Sequence, residues 1–185
     1  MTNAIRLETP ISDGAVLGLR AGDNVLLSGI IYTGRDAAHR RMTELAESGS
    51  PLPFDPIGTA IYYAGPCPAP PGRIIGSIGP TTSTRMDAYA PALIRLGLKV
   101  MIGKGSRSRE VANAIRERGG LYLAAIGGAG ALYSRCVAGA EVIAYEDLGT
   151  EAIRRLTVAD MPLIVAIDST GAGAYAEPNL SGGWR

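Results

Sequence analysis

Short apolar runs rich in β-branched residues alternate with amphipathic stretches along most of this chain, and that alternation constrains its fold more than any other feature. Residues 24–31 (NVLLSGII) are such a run and read as a buried strand. A helix follows over 35–47, with Ala37, Ala38, Met42, Leu45 and Ala46 on its apolar stripe, until the segment GSPLPFD over 49–55 breaks it. Residues 59–64 read as a second strand and 73–78 as a third, joined as a hairpin or a meander by the turn GPCPAPPG over 65–72. That turn is rigid because proline fixes φ and cannot donate to a ladder. A helix capped by Thr81, Thr82 or Ser83 and running to about Arg95 is predicted next. Strands at 98–102, 121–126, 142–145 and 163–167 then alternate with helices at 108–118, 128–137 and 150–156. This order predicts an α/β fold with a mixed, partly parallel sheet, the hairpin supplying the antiparallel part. With no internal repeat and no long linker, residues 1–185 read as one domain, ending in an irregular tail over about 172–185.

Composition narrows the function. The hydrophobic share is 46%, the charged share 19% and the net charge +1, so no global field favours nucleic acid or an anionic membrane. The opening MTNAIRLETPIS lacks a basic and an apolar signal region, and no apolar run is long enough for a membrane span. A cytoplasmic location is expected. Cys67 and Cys136, the 2 cysteines, lie far apart and are expected to remain thiols.

In α/β sheets ligands collect at the C-terminal ends of strands, where helix N-termini present free N–H groups. Three segments fall there, and each carries a group suited to an anion. In Tyr32-Thr33-Gly34-Arg35-Asp36, Arg35 opens a helix just after a strand. Its guanidinium fork matches a carboxylate, and the helix dipole disfavours a cation at that end, so its presence there is either functional or offset by a salt bridge to Asp36. In Gly79-Pro80-Thr81-Thr82-Ser83-Thr84-Arg85-Met86-Asp87, the hydroxyls either cap the helix or face a ligand. If the helix starts at Thr81, Arg85 lies one turn on and the two converge on one small anion. In Ile102-Gly103-Lys104-Gly105, a lysine on bare backbone lets a ligand approach closely, or marks a plain tight turn. A GxxxxGK[ST] phosphate loop is excluded, because Leu98 stands where its first glycine belongs and Gly105 follows the lysine. Three cations and a group of hydroxyls point to a small dianion rather than a nucleotide. Gly127-Gly128-Ala129-Gly130 lacks GxGxxG spacing and reads as tight packing.

Nucleophilic and metal chemistry find little support. His39, the 1 histidine, lies four residues after Arg35 and so shares its helical face, behind the anion-binding groups or as a structural residue. No CxxC or Cys/His cluster exists, and a cubane needs at least three cysteines where this chain has 2, so no metal site is expected.

The segments SGIIYTGRDAAHRRM, YYAGPCPAPPG, GSIGPTTSTRMDAYAP, MIGKGSRS, AAIGGAGAL, EVIAYEDLGTEAIRRL and PLIVAIDSTG resemble the β subunit of class I fumarase. They also resemble the C-terminal half of single-chain class I fumarases and, less closely, the β subunit of L(+)-tartrate dehydratase. The resemblance runs over roughly residues 20–171 in the family's order. The pairing of GPTTSxRMD with GKG is its most specific part.

The resemblance implies a single swivelling β/β/α domain that closes over a substrate. It implies an α subunit holding a [4Fe–4S] cluster through three cysteines, none of it bound by this chain, in an assembly of two α and two β chains. The isolated chain is expected to form a homodimer through surfaces normally covered. By residue, it implies Arg35, Thr81, Arg85 and Lys104 as substrate contacts and Thr81 as the proton-transfer residue. Asp36, His39 and Thr82 are expected to support them. The expected reaction is reversible hydration of fumarate to L-malate. L(+)-tartrate or mesaconate dehydratase chemistry is the alternative on the same scaffold, and a non-catalytic anion-binding or assembly module the alternative from another class. The tail, DSTGAGAYAEPNLSGGWR, departs from the family's usual DSxGNNLY.

Overall fold

A computed structural model describes residues 4–174 of the chain. Two strands, β1 (Ile5–Glu8) and β2 (Asn24–Thr33), flank a short helix α1 (Asp13–Leu17). Helix α2 (Asp36–Glu47) leads to β3 (Ala60–Tyr62), and α3 (Ala90–Arg95) to β4 (Val100–Gly103). Then come α4 (Arg109–Arg118), β5 (Leu121–Ala124), α5 (Gly130–Arg135), β6 (Val137–Ala144) and the long β7 (Ile153–Ile167). Strands β2, β3, β4 and β5 are parallel neighbours. Strand β7 runs antiparallel and hydrogen-bonds both β5 and β2, so the run β2-β3-β4-β5-β7 closes on itself. Strand β1 extends the edge of β2, and β6 that of β7. The sheet is therefore mixed, as expected.

Closure explains why the strands read as continuous apolar runs. Successive side chains point to opposite faces, and here both faces are covered. Ala60, Tyr62, Val100, Ile102, Leu121 and Leu123 face one buried cluster with Leu27, Ile31, Leu156, Val158 and Val165. The alternate residues Ile61, Tyr63, Met101 and Tyr122 face a second cluster. Into it α2 contributes Ala38 and Met42, α3 contributes Leu93 and Ile94, and α4 contributes Val111 and Ile115. Each such aliphatic side chain, fully buried, stabilises the fold by about 1.5–3 kcal/mol before entropy is counted.

Three expected elements are corrected. Residues 73–78 do not form a hairpin strand. The limbs around the proline turn meet at an isolated bridge, Ala64 to Pro80, and at one bond from Cys67 N–H to the Ser77 carbonyl. Gly76 packs so closely that a Cβ there would lie 2.3 Å from the Cys67 carbonyl oxygen, which leaves no room for a pleated ladder. The single helix expected from a cap at Thr81, Thr82 or Ser83 to about Arg95 is instead a 3-10 turn (Ser83–Met86) followed by α3, because Pro91 lacks an N–H and sets a new helix start. The helix expected over 150–156 is the end of a 3-10 turn (Glu146–Glu151) and the start of β7. Strand β7 alternates buried Leu156 and Val158 with exposed Arg155 and Thr157. Its register shifts by one residue before Met161, beside Asp160 at φ 47°, and that bulge with Pro162 masks its period in the sequence. The antiparallel part of the sheet thus comes from β7 rather than from an early hairpin. Of the expected irregular tail, residues 175–185 lie outside the described residues, while Gly173 bridges back to Ile167.

Candidate active site

The parallel strands deliver their C-terminal ends to one side of the sheet, and the sequence-predicted residues sit there. Arg35 follows β2 and Lys104 follows β4. Between the ends of β3 and β4, which diverge, the chain inserts residues 81–83. The Thr81 N–H donates to the Tyr63 carbonyl (2.7 Å), Ser83 N–H donates to the Lys104 carbonyl (2.9 Å), and Thr82 bridges Lys104 in parallel. Thr81, Thr82 and Lys104 are therefore brought together directly, and Arg85 stands on the 3-10 turn that continues from them.

The cations differ in their surroundings. Arg85 and Lys104 are exposed, and neither has an ion pair or a side-chain hydrogen bond among the described residues. Arg35 is held. Its Nη2 lies 3.0 Å from Glu151 Oε1 and 3.8 Å from Asp36 Oδ1, so Glu151 rather than Asp36 is its main partner. Its Nε is buried without a hydrogen-bond partner, as is Asp36 Oδ1. The Thr81 and Thr82 side chains do not cap the following turn.

His39 is fully buried beneath Arg35. Its Nδ1 lies 2.9 Å from the Arg35 carbonyl oxygen, so the neutral ring carries its proton on Nδ1 and donates it there. Nε2 is buried without a partner, and the ring meets Tyr63 edge-on at 5.1 Å. Burial pushes its pKa down to about 4, helped by the Arg107 charge and opposed by the Arg35 carbonyl and Asp36. The folded value lies below the unfolded 6.5, so the unfolded chain binds the proton first as pH falls. This contribution to stability is complete above pH 6.5 and is lost on descending to about pH 4, by about 3 kcal/mol. Urea denaturation across that range is expected to show the loss, and His39→Asn, which keeps a donor near the Nδ1 position, is expected to remove that share. An unchanged profile in the variant would show that His39 is not buried neutral.

The site rests on Arg107, which the sequence did not single out. Its side chain is fully buried, and Nε donates to Asp87 Oδ1 at 2.7 Å. The other Asp87 oxygen accepts the Ser108 N–H at 2.7 Å, at the start of α4. The guanidinium lies 5.2 Å from the centre of the Tyr63 ring and 5.0 Å from that of Tyr122. The Tyr122 hydroxyl in turn meets Ser83 Oγ and the Gly105 carbonyl, both at 2.9 Å. Arg107 thus fixes both loops that carry Thr82 and Lys104. Gly103 is part of the same packing, since a Cβ there would lie 2.1 Å from Ser83 Oγ and 2.9 Å from the Tyr63 ring. Gly103→Ala is expected to lower stability by about 1–3 kcal/mol through overpacking, read by chemical denaturation. A loss below about 0.5 kcal/mol would mean that the Ser83 contact gives way freely.

Among the described residues no side chains fit a cluster or a metal ion. Cys67 is an exposed thiol in the proline-rich loop, and Cys136 a half-buried one beside α5. Among the described residues no group of three or more His, Cys, Asp or Glu could hold a metal ion. Of the three cations, Arg85 and Lys104 are exposed and Arg35 is largely buried. A neighbouring groove of about 450 Å³, lined by Pro66, Cys67, Ile74, Val142, Thr150 and Arg154 among others, contains none of them.

The family model described as "Fumarase C-terminus" matches residues 1–178. The chain belongs to the fumarase C-terminus family. It is 42% identical over 147 residues to "Fumarate hydratase class I, anaerobic" of Escherichia coli K12, covering 78% of this chain and 27% of the relative. To "Fumarate hydratase class I, aerobic" of the same strain it is 38% identical over 157 residues, covering 84% of this chain and 29% of the relative. It is 40% identical over 167 residues to "Putative L(+)-tartrate dehydratase subunit beta" of Methanocaldococcus jannaschii, covering 87% of this chain and 86% of that one. The chain thus spans under a third of these two fumarate hydratases and most of the named β subunit. No helix of the described part of this family member is long and apolar enough to cross a membrane.

Proposed function

We propose that this chain is the β-type, substrate-anchoring component of a class I fumarase-like hydro-lyase. One observation carries the reading: Thr82 bridges Lys104 and Thr81 joins the end of β3, with Arg85, exposed and unpaired among the described residues, on the turn that continues from them. In this reading they act with Arg35, at the end of the neighbouring β2, on one carboxylate of a small dicarboxylate. The family relatives named as fumarate hydratases and as a tartrate dehydratase subunit β support the reaction class and a partner chain.

In this reading Arg35, Arg85 and Lys104 grip one substrate carboxylate. They stabilise the negative charge that gathers there as a proton leaves the adjacent carbon, or before one arrives in the hydration direction. Thr81 handles that proton. An isolated threonine hydroxyl is a very weak base, so it acts only with a charged partner-chain group and with water excluded. His39 holds the Arg35 backbone, and the Arg107–Asp87 pair holds the Thr81 and Lys104 loops. The iron–sulfur cluster that the resemblance implies requires cysteine ligands this chain does not gather, so it belongs to the α partner, in an assembly of two α and two β chains. Fumarate and L-malate are the proposed substrate pair.

The test is a substrate panel. The chain is assembled anaerobically with its α partner, iron and sulfide, and fumarate hydration is followed beside mesaconate hydration and L-tartrate dehydration. Preferred turnover of fumarate is expected. Preferred turnover of tartrate or mesaconate would keep the anchoring role and replace the substrate.

A further inference from the structure

We propose that Glu151 is a positioning residue that aims Arg35 at the substrate, a role that rests on the anchoring function proposed above. The carboxylate makes two contacts at once. Oε1 lies 3.0 Å from Arg35 Nη2, and Oε2 accepts the Ala37 N–H at 3.3 Å. That N–H belongs to the first turn of α2, whose N-cap Arg35 supplies no side-chain cap. Glu151 therefore serves as an external cap delivered from another element. Its charge also offsets the penalty of a cation at a helix N-terminus. One carboxylate thus fixes the guanidinium relative to the helix that carries it.

The grip is built rather than incidental. Both side chains are largely buried, Arg35 at 23% exposure and Glu151 at 21%. The segment bearing Glu151 is clamped at several points. Arg41 donates from two nitrogens to Asp147, at 2.9 and 2.6 Å, and lies over the Tyr145 ring. Thr33 Oγ1 donates to the Ala152 carbonyl at 3.4 Å and accepts the Arg154 N–H at 3.1 Å. Gly65 lets the preceding residue press onto the end of β3, since a Cβ there would lie 2.7 Å from the Thr150 carbonyl oxygen and 3.5 Å from Arg35 Cδ. A freely moving surface glutamate would need none of this.

Glu151 approaches Arg35 at Nη2, while Arg35 Nε is buried without a hydrogen-bond partner. Holding one end of the fork orients the guanidinium. The competing role is that of a placeholder, a carboxylate that substrate must displace. The two roles give opposite results.

The experiment uses the cluster-loaded complex carrying the wild-type chain, Glu151→Ala or Glu151→Gln. The expected result for Glu151→Ala is a roughly tenfold rise in KM for the dicarboxylate, with kcat changed less than about threefold and assembly retained. Glu151→Gln keeps one acceptor oxygen, sets an NH2 donor where the other stood and loses the charge, so it is expected to recover only part of the loss. An unchanged or lower KM in Glu151→Ala would overturn the proposal, the lower value identifying a placeholder. A second readout needs no turnover. In the isolated full chain, the Arg35 guanidinium nitrogens are followed by ¹⁵N NMR. Restricted rotation in the wild type and averaged signals in Glu151→Ala are expected, and identical rotation in both would overturn the proposal. If the wild-type complex turns over no dicarboxylate, the functional reading fails, while the NMR result still decides whether Glu151 holds Arg35.

Discussion

Arg107→Ala is expected to lower the stability of the chain by about 3–5 kcal/mol, the range for breaking a buried ion pair by removing one partner. The side chain is fully buried and its partner Asp87 is only 13% exposed. Removing the guanidinium leaves that carboxylate with the Ser108 N–H alone, empties the space between Tyr63 and Tyr122, and loosens the start of α4. Arg107→Lys keeps the charge but loses the planar fork and the stacking, so it is expected to recover only part of the loss. Urea denaturation followed by tyrosine near-ultraviolet circular dichroism measures both variants. A loss under about 1 kcal/mol for Arg107→Ala would mean that solvent reaches Asp87 and that the floor of the site is softer than its geometry indicates.

Arg85→Ala is expected to do the opposite: to leave the fold intact and remove activity. Arg85 is exposed and unpaired among the described residues, so its truncation is expected to change stability by no more than about 0.5 kcal/mol. Its proposed work is done on the charge that develops on substrate. Loss of one such stabilising group costs about 2–4 kcal/mol of transition-state binding, or roughly 30- to 10³-fold in kcat/KM. The pair of measurements separates a residue that builds the site from one that acts in it. A wild-type rate in an assembled complex carrying Arg85→Ala would remove Arg85 from the mechanism.

The parts of this molecule set by local pattern were legible in the sequence. Strand β2 and helix α2 announce themselves by period, and Arg35 falls at their junction. Thr81, Thr82 and Lys104 were singled out because glycines and hydroxyls cluster where strands end, and the bridge between Thr82 and Lys104 brings those segments together. What depends on distant pairing was not legible. Closure of the sheet needs β7 beside both β2 and β5, and its bulge and proline made one strand of 15 residues look like a helix and a short strand. With residues 150–156 read as a helix, Glu151 had no reason to face Arg35, 116 positions away from it in the chain. Arg107 and Asp87 are 20 residues apart, with no spacing rule to join them. His39 was legible as a neighbour of Arg35 through the helical repeat, but its burial and neutral state arise from Tyr63 and Arg107, on other elements.

The measurement closest to the central proposal is the rate of fumarate hydration by the cluster-loaded complex, built with the wild-type chain or with Arg35→Ala/Arg85→Ala/Lys104→Ala, with assembly checked by size-exclusion chromatography. Hydration by the wild type, reduced by roughly 10³-fold or more in a variant that still binds its partner, is the expected result. Equal rates in the two complexes would contradict the proposal, as would a wild-type complex, fully assembled and loaded, that turns over neither fumarate, mesaconate nor L-tartrate.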